Sequence, residues 1–217
     1  MSATKLQFYF DFISPYAYLA WTQVRDLAAR HGREVEPAPV LFAALLNANG
    51  QKGPAEIPDK RAYLFKDCFR TAHRLGVPFA PPPSHPFNPL VALRVASLEL
   101  DGPTRAHVID ALFSAVWSGG PGAETSPIVA AVLSRAGLSG ADLAAAATTQ
   151  PAKDALRRTT DAALARGVFG VPTMVVDEEL FWGFDSFANL EVVLDGNDPL
   201  RAEDVAAWQA VKPSATR

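Results

Sequence analysis

Phe8-Tyr9-Phe10-Asp11-Phe12-Ile13-Ser14-Pro15-Tyr16-Ala17 reads as a buried strand that runs straight into a helix through a Ser-Pro junction. A serine before a proline at such a turn suits the helix N-cap, and Pro15 then takes the first helical position, where a missing N–H costs nothing. The free N–H groups of that helix start, with the positive end of its dipole, favour an anion: a phosphate, a carboxylate or a thiolate. Ser14 therefore has two readings, a plain cap and a group placed for chemistry.

Lys5 to Phe12 is strand-like. Pro15 to His31 carries helical apolar spacing through Tyr18, Leu19, Val24 and Leu27, and Gly32 supplies the stop. Glu34 to Leu41 follows as a second strand, so the first forty residues form a βαβ unit with a parallel pair. From about Phe42 to Gln150 strand signals fade and helices take over. Pro58 to Leu75 ends at Gly76, Asn88-Pro89 opens a helix through Leu100, and Thr104 to Trp117 follows Asp101-Gly102-Pro103. Ser126-Pro127 starts another helix. Ser139 with Asp142 resembles a capping box ahead of an alanine-rich stretch closed by Gln150-Pro151. The Pro- and Gly-rich segments Ala80 to Pro86 and Ser118 to Glu124 punctuate this block. After a helix from Ala152 to Arg166, strands Val171 to Asp177 and Leu180 to Gly183 flank a tight Glu178-Glu179 turn as a hairpin. Asp185 and Ser186 then cap a last helix to Leu194. The order is that of an α/β domain, residues 1–42 and 152–217, interrupted by a helical insertion, residues 43–151.

The chain has 217 residues, 49% of them hydrophobic, enough for a substantial core. Its net charge of −3 and scattered Lys and Arg residues argue against nucleic acid as a partner. No apolar run reaches membrane-spanning length, and Met1 to Gln7 lacks the apolar stretch of a signal peptide, so a cytoplasmic protein is expected. The single cysteine, Cys68, excludes an intramolecular disulfide and a CxxC centre, and its neighbours place it in a helix interior. His31, His73, His85 and His107 lack metal-ligand spacing and read as surface or capping residues.

Four segments in this order resemble one family: Phe10 to Tyr16, Gly50 to Lys60, Gly167 to Thr173 and Leu180 to Asp185. They are similar to the 2-hydroxychromene-2-carboxylate isomerases, relatives of kappa-class glutathione transferases within the DsbA-like thioredoxin superfamily. The resemblance implies a thioredoxin-like fold with a large all-helical insertion. Redox-active relatives carry cysteines where this chain has Ser14 and Ala17. It follows from the resemblance that Ser14 is catalytic, holding and activating the thiol of bound glutathione. A free thiol titrates near 8.5, and a helix N-terminus lowers that value.

The resemblance further implies a cis Pro172 that presents the Val171 backbone beside Ser14, where it pairs with the cysteinyl unit of glutathione. Read alone, Val171-Pro172 is an ordinary turn before a strand. Lys60 is implied as a contact to a glutathione carboxylate, and Asp185 as the partner of the γ-glutamyl ammonium. Gln51 and Ser186 complete the implied glutathione set, each a departure: the family usually has asparagine at the first position and arginine at the second. Asn47 and Asn49 are nearby polar groups whose simpler role is turn formation. Phe42, Phe87, Phe169 and Trp182 are candidate walls of the cleft, or plain core.

Together these readings predict a glutathione-dependent cis–trans isomerase of 2-hydroxychromene-2-carboxylate or a related aromatic-catabolic intermediate. The alternatives are a kappa-like glutathione transferase or peroxidase, and a redox-inactive binding protein on the same scaffold. Glutathione and a small aromatic carboxylate are the expected partners, without metal, nucleic acid or membrane, and with a homodimer as a compatible assembly.

Overall fold

The computed structural model describes residues 4–214. Strand β1, Thr4–Phe10, pairs in parallel with β2, Arg33–Pro39, in a register that sets Leu6 opposite Val35 and Phe10 opposite Pro39. A parallel pair needs a crossover, and helix α1, Pro15–Arg30, supplies it. Strand β3, Thr173–Val176, joins the other edge of β1 antiparallel, with Phe8 opposite Met174. Strand β4, Glu179–Trp182, closes the sheet in the order β2-β1-β3-β4.

The strand period of two divides the core. Leu6, Phe8 and Phe10 face one side and pack with Phe12, Trp21 of α1 and Phe113 in a large apolar cluster. There Phe10 and Phe113 stand 5.6 Å apart, and Phe12 and Phe113 4.8 Å apart edge to face. Tyr9 and Val175 face the other side, against Val40, Leu45 and Ala163. β1 is thus covered on both faces, which explains why it reads as a nearly continuous apolar run.

Between β2 and β3 the chain is built on helices: α2 Phe42–Ala48, α3 Pro58–Leu75, α4 Leu90–Ala96, α5 Gly102–Trp117, α6 Ser126–Arg135, α7 Gly140–Ala146 and α8 Gln150–Ala165. Gly76 ends α3 in the left-handed region, φ 68°, where its N–H reaches back to the carbonyls of Ala72 and His73. Asp101 caps α5, its carboxylate accepting from Thr104 N at 2.9 Å. Helix α9, Phe187–Leu194, follows the hairpin, and α10, Ala202–Gln209, follows that.

Several expected boundaries move. The helix expected through Leu100 stops at Ala96, with Ser97 as its C-cap. Ser139 makes no side-chain capping bond, so no capping box forms with Asp142. The hairpin turn lies one residue earlier than expected: Asp177 (φ 49°) and Glu178 (φ 74°) are its corner, and Glu179 begins β4. Two successive positive φ values suit the twist of a two-residue hairpin. Ion pairs from Arg33 to Asp177 and from Arg166 to Glu178 accompany the turn. Asp185 is not an N-cap. It lies inside a 3-10 turn, Phe184–Ser186, and Ser186 occupies the N-cap position of α9 with no capping side-chain bond. Helix α10 was not expected at all. No helix among the described residues is long and apolar enough to cross a membrane.

Candidate functional site

Ser14 is the N-cap of α1, with extended backbone (φ −91°, ψ 115°). Its Oγ accepts from Ala17 N at 3.2 Å and lies 3.4 Å from the Val171 carbonyl oxygen. The Val171–Pro172 bond is cis, as the resemblance implies. Two segments 157 residues apart in sequence therefore meet at one hydroxyl. At 3.4 Å the contact is longer than a good O–H···O bond. The Ser14 proton is thus weakly held and free to turn to a better acceptor.

The turn that carries Ser14 is pinned on every side. Ser14 N donates to Asp11 O at 3.1 Å, closing a four-residue turn over Phe12 and Ile13. Asp11, fully buried, accepts Ile13 N at 3.1 Å on one carboxylate oxygen and Phe42 N at 2.9 Å on the other. Burial pushes its carboxyl up to about 7 against the opposing effect of those two N–H bonds. Trp117 Nε1 donates to Phe12 O at 2.9 Å, and His85 Nε2 meets Ile13 O at 2.9 Å. The sequence reading missed these three residues. Asp11 had a signal, a lone carboxylate in an apolar run, since unpaired charges seldom enter cores. His85 had none: of the expected surface or capping roles, the structure gives it a half-buried one on a backbone carbonyl, and burial between Phe65 and Trp117 lowers its pKa.

Pro172 links Ser14 to the second loop. Its carbonyl accepts Gly183 N at 2.9 Å, and the Asp185 side chain folds over Gly183, where any Cβ would collide with it. Asp185 is exposed, and the Ser186 hydroxyl donates to Gly183 O at 2.8 Å. Gln51 and Lys60 are exposed, on the loop after α2 and in the first turn of α3. No hydrogen bond among the described residues joins them to Ser14. Helix α3 is nevertheless tied to α1 at the site, because Tyr16 Oη donates to Asp67 at 2.8 Å. Lys60 lies seven residues before Asp67, about 10 Å along the helix.

Cys68 is buried beside this contact, its thiol pushed up to about 12 by burial and by the Asp67 charge. Asn49 serves the helix end, its amide bonding Leu45 O at 2.8 Å. Of the four candidate walls, Phe87 is buried and Phe42 packs on the smaller core cluster. Phe169 and Trp182 instead form an exposed edge-to-face pair, 5.0 Å between centroids, with the indole lying over Gly170 where a Cβ would collide with it. This aromatic edge adjoins the cis Pro172, since Trp182 pairs with Thr173 in the sheet.

The fold that places these residues has counterparts among known proteins. The family model of the DSBA-like thioredoxin domain matches residues 5–195. A 2-hydroxychromene-2-carboxylate isomerase of Sphingobium xenophagum is 31% identical over 87% of this chain and 97% of that protein. The chain belongs to the 2-hydroxychromene-2-carboxylate isomerase family, within the DsbA-like thioredoxin superfamily. A solved 2-hydroxychromene-2-carboxylate isomerase superposes with a TM-score of 0.81 at 27% identity, covering 89% of this chain and 95% of that one. Kappa-class glutathione transferases are also related: kappa 2 of Caenorhabditis elegans is 28% identical over 80% of this chain and 81% of its own length. This chain has the DsbA-like scaffold with Ser14 and Ala17 at the start of α1, and its one thiol, Cys68, is buried in α3.

Proposed function

We propose that this protein is a glutathione-dependent cis–trans isomerase of 2-hydroxychromene-2-carboxylate or a related ring-opened aromatic carboxylate. The observation that carries the reading is the weakly held Ser14 hydroxyl between the α1 N-terminus and the cis Val171–Pro172 bond. The identity to the Sphingobium xenophagum isomerase, over nearly its whole length, supports the reaction class. When bound, glutathione supplies a thiolate whose reversible addition to a conjugated double bond converts it to a bond that can rotate. The residues present fit such a ligand. Ser14 donates its proton to the sulfur, and the helix N-terminus favours the anion beside it. The Val171 backbone, whose carbonyl lies beside Ser14 Oγ, pairs with the peptide of the ligand. Lys60 meets a carboxylate and Asp185 the ammonium, while Gln51 and Ser186 add neutral hydrogen bonds. The exposed Phe169 and Trp182 pair offers an apolar aromatic edge to an aromatic substrate.

This reading divides the chain into a thioredoxin-like unit, 1–42 and 152–217, and a helical insertion, 43–151, that covers the cleft. A kappa-like transferase or peroxidase is the second reading, favoured by the kappa-class relatives. One set of measurements separates them. With 2-hydroxychromene-2-carboxylate, the isomerase shows interconversion that needs catalytic glutathione and leaves the thiol unconsumed. Stoichiometric thiol loss with an electrophile or a peroxide indicates the second reading. Saturating glutathione, at about 100 times its dissociation constant, stabilises a protein that binds it only when folded by roughly 2.7 kcal/mol. A melting temperature unmoved by millimolar glutathione rejects both and leaves a binding protein.

A further inference from the structure

We infer that His85 and Trp117 are positioning residues for Ser14: their ring N–H groups, reaching in from the helical segment, hold the carbonyls of Ile13 and Phe12 and thereby fix the orientation of the Ser14 hydroxyl. Phe12 and Ile13 are the two central residues of the turn closed by Ser14 N and Asp11 O, so neither carbonyl belongs to the sheet or to α1. Buried main-chain carbonyls need donors. Trp117 Nε1 meets the first at 2.9 Å and His85 Nε2 the second at 2.9 Å.

The peptide unit between Ile13 and Ser14 is therefore held at both ends. Its oxygen is held by His85 and its N–H by Asp11 O. With this peptide plane pinned on one side and Ser14 O held by Tyr18 N at 3.1 Å on the other, the Ser14 φ and ψ have little freedom. They set where Cβ points, and the Ala17 N bond then selects the direction of Oγ. A carbonyl oxygen only accepts, so Nε2 of His85 carries the proton. Its Nδ1 is buried without a hydrogen-bond partner. The ring is held by packing: Phe65 lies edge on at 5.3 Å, and Trp117, itself stacked on Phe79 at 5.8 Å, lies at 5.4 Å. A histidine kept with one idle nitrogen serves through the other.

The chemical consequence of the clamp rests on the proposed thiol activation, but the clamp can be tested without a ligand. In His85→Phe, which keeps an aromatic ring and loses the donor, amide hydrogen exchange should accelerate at Ser14, Ala17 and Tyr18. These are the N–H groups that bond Asp11 O, Ser14 Oγ and Ser14 O. The β1–β2 ladder should exchange as before. His85→Gln, whose amide nitrogen falls near the place of Nε2, should restore protection. If His85→Phe does not fold, His85→Asn, too short to reach Ile13, serves as the comparison with His85→Gln.

With glutathione bound, loss of the donor should raise the thiol titration by about one unit, a tenfold lower thiolate fraction at neutral pH, with KM little changed. His85→Gln should reverse that shift. Unaltered exchange at Ser14 and Tyr18 overturns the inference, as does equal acceleration in the ladder, which makes His85 a residue of general stability. Failure of the wild-type protein to bind glutathione overturns the proposed function instead, and the exchange comparison still decides the clamp.

Discussion

Ser14 combines two roles in one oxygen atom: Oγ accepts Ala17 N as a helix cap, while its proton is left with a distant carbonyl. The roles separate on substitution. Ser14→Ala should cost about 1 kcal/mol of stability through the lost cap, while isomerisation at neutral pH falls and the thiol of bound glutathione titrates at higher pH. Raising the pH should then recover part of the rate, because hydroxide generates the thiolate that serine no longer stabilises. Ultraviolet titration of the complex reads this directly, and an unchanged curve returns Ser14 to a cap. Asp11 makes a prediction of opposite character to an ion-paired carboxylate. Its pKa is raised to about 7 in the folded chain, so between about pH 4 and 7 the folded state binds more protons than the unfolded one. Its contribution to stability is therefore largest in acid and declines as pH rises through 7. Asp11→Asn should destabilise by about 1–3 kcal/mol at pH 5 because an amide N–H₂ must then face a backbone donor. The gap to wild type should narrow toward pH 7 by up to about 1.4 kcal/mol per unit. Urea midpoints for both proteins between pH 5 and 8 check this, and parallel curves would refute it.

At the scale of the element, local signals succeed where the chain's own backbone decides and fail where packing does. Helix α3 runs from Pro58 to Leu75 as its punctuation predicts, because Pro at its start and a left-handed Gly76 at its end are backbone requirements. No side chain approaches the site of a Cβ at Gly76. Gly76→Ala should therefore cost only the left-handed backbone, about 1 kcal/mol, seen as a lower urea midpoint with unchanged activity. A loss far above that would mean that α3 ends by packing instead. Helix α4 shows the converse. Its apolar pattern continues to Leu100, yet the helix stops at Ala96, and Arg105 from α5 donates to Leu98 O in the segment beyond. The hairpin corner shifted by one residue for a similar reason. Glu178-Glu179 and Asp177-Glu178 are equally polar, and pairing of Val176 with Glu179 across the sheet selects the second.

For the whole molecule, Cys68 offers a reporter. It is fully buried, its thiol is pushed up to about 12, and both features suppress nucleophilic attack. A disulfide reagent should leave the native protein unmodified at neutral pH and titrate one thiol per chain once the protein is unfolded. Its rate in the native state then measures opening of the segment around α3. Fast labelling of the native protein would show that α3 detaches readily from α1, against the Tyr16–Asp67 bond that ties them. The same burial separates Cys68 from the proposed thiol chemistry, so activity in a glutathione-free preparation would have to come from elsewhere than this residue.

Within the first seventeen residues, composition and order alone specify a strand, a Ser-Pro helix start and the absence of a cysteine pair, because each is a property of covalent geometry or of residue chemistry. The same holds for the parallel pair that follows and for the helical block between the strands. Tertiary structure alone decides what meets Ser14. Val171 arrives from 157 residues away, and Trp117 and His85 arrive from a helix end and a Pro-rich loop whose sequences carry no sign of that destination. The reason is physical. A cap is a bond between near neighbours, whereas donors for the Phe12 and Ile13 carbonyls are chosen by which side chains the packed core carries to them, and no local spacing encodes that choice.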